Sequence, residues 1–170
     1  NFSEILKSNF SVENINNDTF FIRNGSGEVF KMGNKNLKRI DKSTIQDFLI
    51  GSDVFAFNDT LFKYGGYGYW TLFNKMIYFD NTTSQWELYS NIQSEGRFNH
   101  QTFIDNEKSY FVGGYSLEAG LNQNDLQKIE IEYYDFTNKA FKSFGNSTAF
   151  LQGKKVINDF GDKLLLQKNK

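Results

Sequence analysis

Two apolar runs in this chain end in paired glycines, Leu61-Phe62-Lys63-Tyr64-Gly65-Gly66 and Tyr110-Phe111-Val112-Gly113-Gly114. The pairs stand about 50 residues apart, a spacing that marks a repeat architecture. Each pair is followed by an aromatic–Asp signal, Tyr78-Phe79-Asp80 in one case and Tyr133-Tyr134-Asp135 in the other. At the same distance beyond each Asp comes a large ring, Trp86 and Phe141. Such a unit is one supersecondary module that must stack on its neighbours to bury its faces.

Weaker copies flank these two. Asp18-Thr19-Phe20-Phe21-Ile22-Arg23 matches Asp59-Thr60-Leu61-Phe62-Lys63-Tyr64, with Asn24 where a glycine is expected. Val29-Phe30-Lys31-Met32 and Leu37-Lys38-Arg39-Ile40 fill the later half of that unit. Near the end, Val156-Ile157-Asn158-Asp159 and Asp162-Lys163-Leu164-Leu165-Leu166 read as the opening half of another. Each full unit divides into four short strands, in the third roughly 100–104, 109–113, 128–134 and 140–144. Ile129-Glu130-Ile131-Glu132-Tyr133 alternates apolar and polar residues, the period of a strand with one buried face. Only 43–49 hints at a helical turn. The reading is all-β, with four-stranded antiparallel units over 11–41, 53–90 and 99–144 and an opening half-unit over 154–168.

Composition fits that reading. With Pro 0 and Gly 14, turns must be built from Gly, Asn and Asp, which tolerate positive φ. Asn58-Asp59, Gly25-Ser26-Gly27, Asn81-Thr82-Thr83-Ser84, Asp105-Asn106-Glu107 and Thr137-Asn138 stand between strands as such turns. Phe 19 and Tyr 9 supply the area to fill contacts between sheets. Cys 0 removes disulfides, thiol catalysis and cysteine metal sites, and His 1 removes multi-histidine zinc sites. A net charge of −1 argues against a basic nucleic-acid surface. No apolar run has the roughly 20 residues a membrane helix needs, and no signal peptide stands at the start. The chain opens on Asn1 rather than Met, which suggests processing or a piece of something longer.

These residues resemble the kelch repeat, in which an apolar strand ends in Gly-Gly and is followed by a Tyr and a Trp. Tyr64-Gly65-Gly66, Tyr78 and Trp86 carry the pattern, as do Val112-Gly113-Gly114 and Tyr133 or Tyr134, with Phe141 in place of the Trp. Arg97 and His100, in Gly96-Arg97-Phe98-Asn99-His100, match residues such units often carry before the glycine strand. The resemblance is specific over 53–144. It implies a β-propeller of four-stranded blades, whose usual range is 4–8. About three and a half units make an arc, a partial propeller over 1–170 completed by further sequence or by another chain. Gly65, Gly66, Gly113 and Gly114 would then allow close backbone approach, while Tyr78, Trp86, Tyr134 and Phe141 would fill the wedges between blades.

Several residues bear on function. His100 is the one imidazole and the obvious general base, yet no nucleophile motif accompanies it and a structural hydrogen bond is the favoured role. Asp80 and Asp135 recur with the repeat, which favours turn formation over acid catalysis. Asn122-Gln123-Asn124-Asp125 lacks the spacing of a calcium loop. A copper oxidase of the galactose oxidase kind needs a Cys and two His ligands, which this chain lacks. Sequons such as Asn81-Thr82-Thr83 and Asn146-Ser147-Thr148 are expected from the Asn content alone.

The remaining candidates are loops. Gly66-Tyr67-Gly68-Tyr69-Trp70 gathers three rings in a glycine-rich context, and the matching loop from Tyr115 to Asn122 differs in length and character. Binding candidates are therefore Tyr67, Tyr69, Trp70, Arg97 and His100, with no catalytic residue, metal or cofactor assigned. The expectation is a non-catalytic module that recognises a protein or a carbohydrate through blade-face loops, with no nucleic acid and no membrane span. The alternative is part of a sugar-processing or sugar-isomerising propeller enzyme with further blades elsewhere. Acids converging with Arg97 and His100 at the propeller axis would favour the enzyme. The Asn- and Lys-rich, Pro-free composition suggests an AT-rich coding sequence, as of a bacterial cell-envelope or signalling protein; it leaves the compartment open, the cell envelope and the extracellular space included.

Overall fold

A computed structural model of the chain describes residues 10–34, 36–42, 49–68, 71–91, 96–115, 130–146, 154–159 and 164–168. Its elements among these residues are all strands. Strands β1 (Phe10–Ile15), β2 (Asp18–Arg23), β3 (Val29–Met32) and β4 (Leu37–Arg39) form a first sheet in chain order. Strands β5 (Asp53–Phe57) and β6 (Thr60–Tyr64) begin a second, and a small ribbon of β7 (Tyr67–Gly68) and β8 (Thr71–Leu72) follows. Strands β9 (Lys75–Asp80) and β10 (Gln85–Asn91) complete that sheet. The third sheet runs β11 (Gln101–Asp105), β12 (Lys108–Val112), β13 (Glu130–Asp135) and β14 (Ala140–Asn146). A hairpin of β15 (Lys154–Asp159) and β16 (Leu164–Lys168) comes last. All pairings within the three sheets are antiparallel. Among the described residues no helix is long and apolar enough to cross a membrane.

Asparagine does the work that proline does elsewhere. Asn16-Asn17 and Asn58-Asp59 sit at positive φ in both positions, the requirement of a two-residue hairpin that follows strand twist. The four-residue turns after β9 and β13 are held by the repeated aspartates. Asp80 Oδ1 accepts the Thr82 N–H at 2.7 Å, and Asp135 Oδ1 accepts the Asn138 N–H at 2.9 Å. These bonds hold both carboxyls below their usual range. Tight turns thus gather at one end of the sheets, and the longer glycine-bearing connections at the other.

The first strands of the three sheets lie side by side, with β5 against both β1 and β11. The sheets therefore stack face to face as propeller-like blades with two seams. A carboxylate bridges the first strands at each seam. Asp53 Oδ2 accepts the Thr102 N–H at 2.7 Å, and Glu13 accepts the backbone N–H of Ala56. Strand β6 serves both seams, because successive side chains point to opposite faces. Leu61 belongs to the first seam with Phe20, Ile22, Val29, Val54 and Phe79. Phe62 and Tyr64 belong to the second with Phe55, Met76, Phe111, Tyr134 and Phe136. Burying each such side chain contributes roughly 1.5–3 kcal/mol.

Pairing registers refine the repeat alignment. Ile15 faces Asp18 across the first hairpin as Phe57 faces Thr60 across the second, so Asp18 occupies the place of Thr60 rather than Asp59. Asn24 consequently stands at the place of Gly66. One residue of slip matters, because it would turn Phe20 and Ile22 away from the seam they fill. In the later half of the units, Phe79 pairs with Trp86 and Tyr134 with Phe141. Tyr133 is therefore the counterpart of Tyr78, and Tyr134 that of Phe79. Trp86 is half-buried in the first seam, where its Nε1 donates to the Gly27 carbonyl at 2.8 Å. Phe141 packs against the second seam, stacked on Phe111.

Candidate functional site

At the glycine end, the long connections are laced together by backbone hydrogen bonds. Ile50 and Tyr67 exchange a pair, at 2.9 and 2.8 Å, and Phe98 and Tyr115 exchange another, at 3.1 and 2.9 Å. The Gly66 N–H donates to the Arg97 carbonyl at 2.8 Å, and the Asn99 N–H to the Gly51 carbonyl at 2.7 Å. This lacing sets Tyr67, Phe98 and Tyr115 in a row. Ring centroids of Tyr67 and Phe98 are 6.3 Å apart, and those of Phe98 and Tyr115 are 5.5 Å apart. Tyr115 is 39% exposed, Ile50 beside Tyr67 is 51% exposed, and Tyr67 and Phe98 are half-buried.

The glycine pairs make this close lacing possible. A Cβ on Gly65, at φ 69°, would strike the Arg97 carbonyl and come within 2.7 Å of His100 Cε1. One on Gly114 would come within 2.6 Å of the Phe98 carbonyl. Gly113 has open space around its Cβ position, so only its φ of 70° calls for glycine.

Arg97 and His100, expected among the ligand contacts, lie beneath the row. Arg97 is 0% exposed. Its Nη1 donates to the carbonyls of Phe111 at 3.1 Å and Gly113 at 3.0 Å, and its Nη2 pairs with the Glu132 carboxylate. Those bonds tie the connection before β11 to β12 and β13, a structural task that spends the guanidinium internally. His100 is 6% exposed and packs edge-on to Tyr64 at 5.2 Å and Phe111 at 5.8 Å. Among the described residues neither ring nitrogen has a hydrogen-bond partner. Burial, with the Arg97 charge alongside, pushes its pKa down to about 3, so the imidazole is neutral. The structural hydrogen bond expected of His100 is not made among the described residues, where the ring packs as an apolar wedge. Both residues are thus supports rather than contacts, because burial reflects partners far away in sequence. Tyr69 and Trp70 lie outside the described residues, as do Asn122-Gln123-Asn124-Asp125.

Phe98 and Tyr115 were not among the sequence candidates as a binding pair. Phe98 stands between Arg97 and His100 and Tyr115 directly after Gly113-Gly114, and only the Phe98–Tyr115 bridge brings them together. Acids do meet elsewhere, on the first strands. The Glu13 carboxyl is pushed up to about 7, by burial first and by Asp53 second. Both carboxylates nevertheless hold backbone N–H groups of the neighbouring sheet. Arg97 and His100 are enclosed in the third sheet and its seam, with Arg97 on the Glu132 carboxylate.

No family model matches the chain, and no curated protein matches it. Solved structures do, in 131 chains. The structure of YjhT is similar, with a TM-score of 0.67 over 93% of this chain at 18% identity. This chain spans 57% of the length of that structure. The likeness shows the fold.

Proposed function

We propose that this chain is a kelch-like, non-catalytic binding module that engages a protein or a carbohydrate through the glycine end of its blades. The observation that carries this reading is the row of Tyr67, Phe98 and Tyr115 across two adjacent sheets. Part-exposed rings held by backbone bonds present apolar area without ordering cost, and tyrosine adds a hydroxyl for a partner. Buried Arg97 and His100 stiffen the platform from below. A sugar-processing enzyme would draw on the Glu13–Asp53 pair, in which the raised pKa of Glu13 suits acid–base work. Binding is preferred because both carboxylates are engaged between sheets and the one imidazole is sealed from solvent.

The test compares the chain with a Tyr67→Ala/Tyr115→Ala variant against a glycan array and a panel of candidate protein partners. Binding should fall at least tenfold, with the melting temperature within a few degrees. Unchanged binding would remove the row from the site. Unfolding would make those rings part of the core, and the reading would fail.

A further inference from the structure

The two seams differ at the end where the tight turns gather. In the second seam this end is filled by rings. Phe57 and Phe136 stack at 4.0 Å between centroids, Tyr89 lies edge-on to Phe62 at 5.0 Å, and Tyr78 lies edge-on to Tyr89 at 6.0 Å. Strand pairing identifies what stands at those places in the first seam. Ile15 replaces Phe57, Lys31 replaces Tyr78, Ile40 replaces Tyr89 and Asn81 replaces Phe136. Four rings have given way to two aliphatic side chains, an ammonium and an amide. A cavity of about 290 Å³ remains, lined by these residues and floored by Phe20, Leu61 and Phe79.

We propose that this cavity binds a single sugar ring, free or at the end of a glycan. At roughly 30 Å³ for each water-sized group, it holds about ten such groups, the scale of one pyranose. The floor suits the C–H face of the ring. Its edge offers hydrogen-bonding groups of both senses: the Asn81 amide, the Asp59 carboxylate, and a Lys31 ammonium held to Asp18 at 2.5 Å. Lys31 also lies 5.9 Å from the Phe20 ring centre, which fixes it over the floor. A simple phenol would answer one of these groups. An anion would meet two carboxylates against one ammonium that is already paired. A ring carrying several hydroxyls answers them all. This site is at the opposite end of the sheets from the Tyr67–Phe98–Tyr115 row, and it does not depend on that reading.

Titration of the full chain with glucose, galactose, mannose and N-acetylglucosamine tests the proposal, followed by calorimetry and by backbone amide shifts. At least one sugar should bind saturably up to tens of millimolar, with shifts centred on Asn16, Asp59 and Asn81. Asn81→Phe restores a ring at the place of Phe136 and should abolish binding while the melting temperature holds or rises. Asp59→Asn keeps a residue that tolerates the φ of 59° at this turn. It should weaken binding about tenfold by removing one charge-assisted hydrogen bond. Absence of saturable shifts at this end with all four sugars overturns the proposal. So does unaltered affinity in Asp59→Asn, which decides the matter even if Asn81→Phe fails to fold. Shifts confined to Tyr67, Phe98 and Tyr115 would overturn it while supporting the glycine-end platform, so the two readings fail separately.

Discussion

The seam between the second and third sheets is closed by aromatic rings from end to end, whereas the seam between the first and second is closed at one end only. Phe111 in the closed seam touches Phe55, Tyr64, His100 and Phe141. The open seam leans on Trp86, its hydrogen bond to Gly27, and the Phe79 ring 5.6 Å away. A second difference lies at the glycine end. There the first sheet carries Arg23-Asn24 in place of a glycine pair, with Arg23 and Arg39 both on Glu28 at 2.7 Å and Arg39 on Asp41 at 2.9 Å. The two arginines on Glu28 are half-exposed pairs that contribute little stability each, whereas Asp41 is buried and also accepts the Val29 N–H at 2.9 Å. One repeat pattern therefore supports a sealed joint and a looser, charge-trimmed one. The sealed joint carries the aromatic row, and the looser one carries the cavity.

Truncation within the closed seam should have the largest effect. Phe111→Ala should cost about 3–5 kcal/mol, the range for a large buried ring, as measured by urea unfolding. A loss near zero would mean that the rings are not the joint. The same substitution at Trp86 should cost less, about 2–3 kcal/mol, because this ring is half-buried and its seam already contains a void.

The glycine pairs sharpen the contrast next. Gly65→Ala should destabilise by about 2–3 kcal/mol, from positive φ together with collision on the Arg97 carbonyl. Gly113→Ala meets no neighbour and should lose only about 1 kcal/mol from backbone strain. Equal losses at the two positions would show that φ alone, and not close packing of the lacing, selects glycine here.

The seams should also answer pH in opposite directions. His100 has a folded pKa of about 3 against 6.5 for the free side chain. The unfolded chain therefore binds its proton first, and stability is lost as pH falls from 6.5 toward 3. Glu13 has a folded value of about 7 against 4.5. Its stabilising contribution is full below 4.5 and is lost as pH rises through 7. Unfolding midpoints across this range should fall on the acid side in the parent and flatten there in His100→Phe. Glu13→Gln should flatten the alkaline side. Slopes that persist in these variants would assign the pH response to other groups. At the cavity a gain is expected: Asn81→Phe, by filling it, should add about 0.5–2 kcal/mol.

Much of the architecture was legible because glycines and asparagines at strand ends leave marks that burial cannot erase. Gly65-Gly66 and Gly113-Gly114 located two units, and Asp80 and Asp135 located their turns through bonds made within the turn itself. The first unit was matched one residue out of register. Asp18 looks like Asp59 in composition, and only the pairing of Ile15 with Asp18 shows that Asn16-Asn17 is the turn. The site was less legible. Arg97 and His100 carry polar side chains just before the glycine strand, yet contacts with Glu132, Phe111 and Tyr64 enclose them. Phe98 and Tyr115 are ordinary core-type rings in sequence, and a single bridge between distant loops brings them to the surface. The cavity was invisible for a related reason: it consists of rings missing from Ile15, Lys31, Ile40 and Asn81, and an absence shows only against an aligned neighbour.

The closed seam holds Arg97 and His100 as buried internal supports beside the Tyr67–Phe98–Tyr115 row. The chain has one histidine, so its imidazole gives a single, unambiguous nuclear magnetic resonance signal. Following that signal from pH 8 down to about 4 tests the claim directly. A neutral ring with no inflection over this range is the predicted result. An inflection near 6.5, the value of a solvent-exposed imidazole, would contradict it and return His100 to the candidates for contact and catalysis.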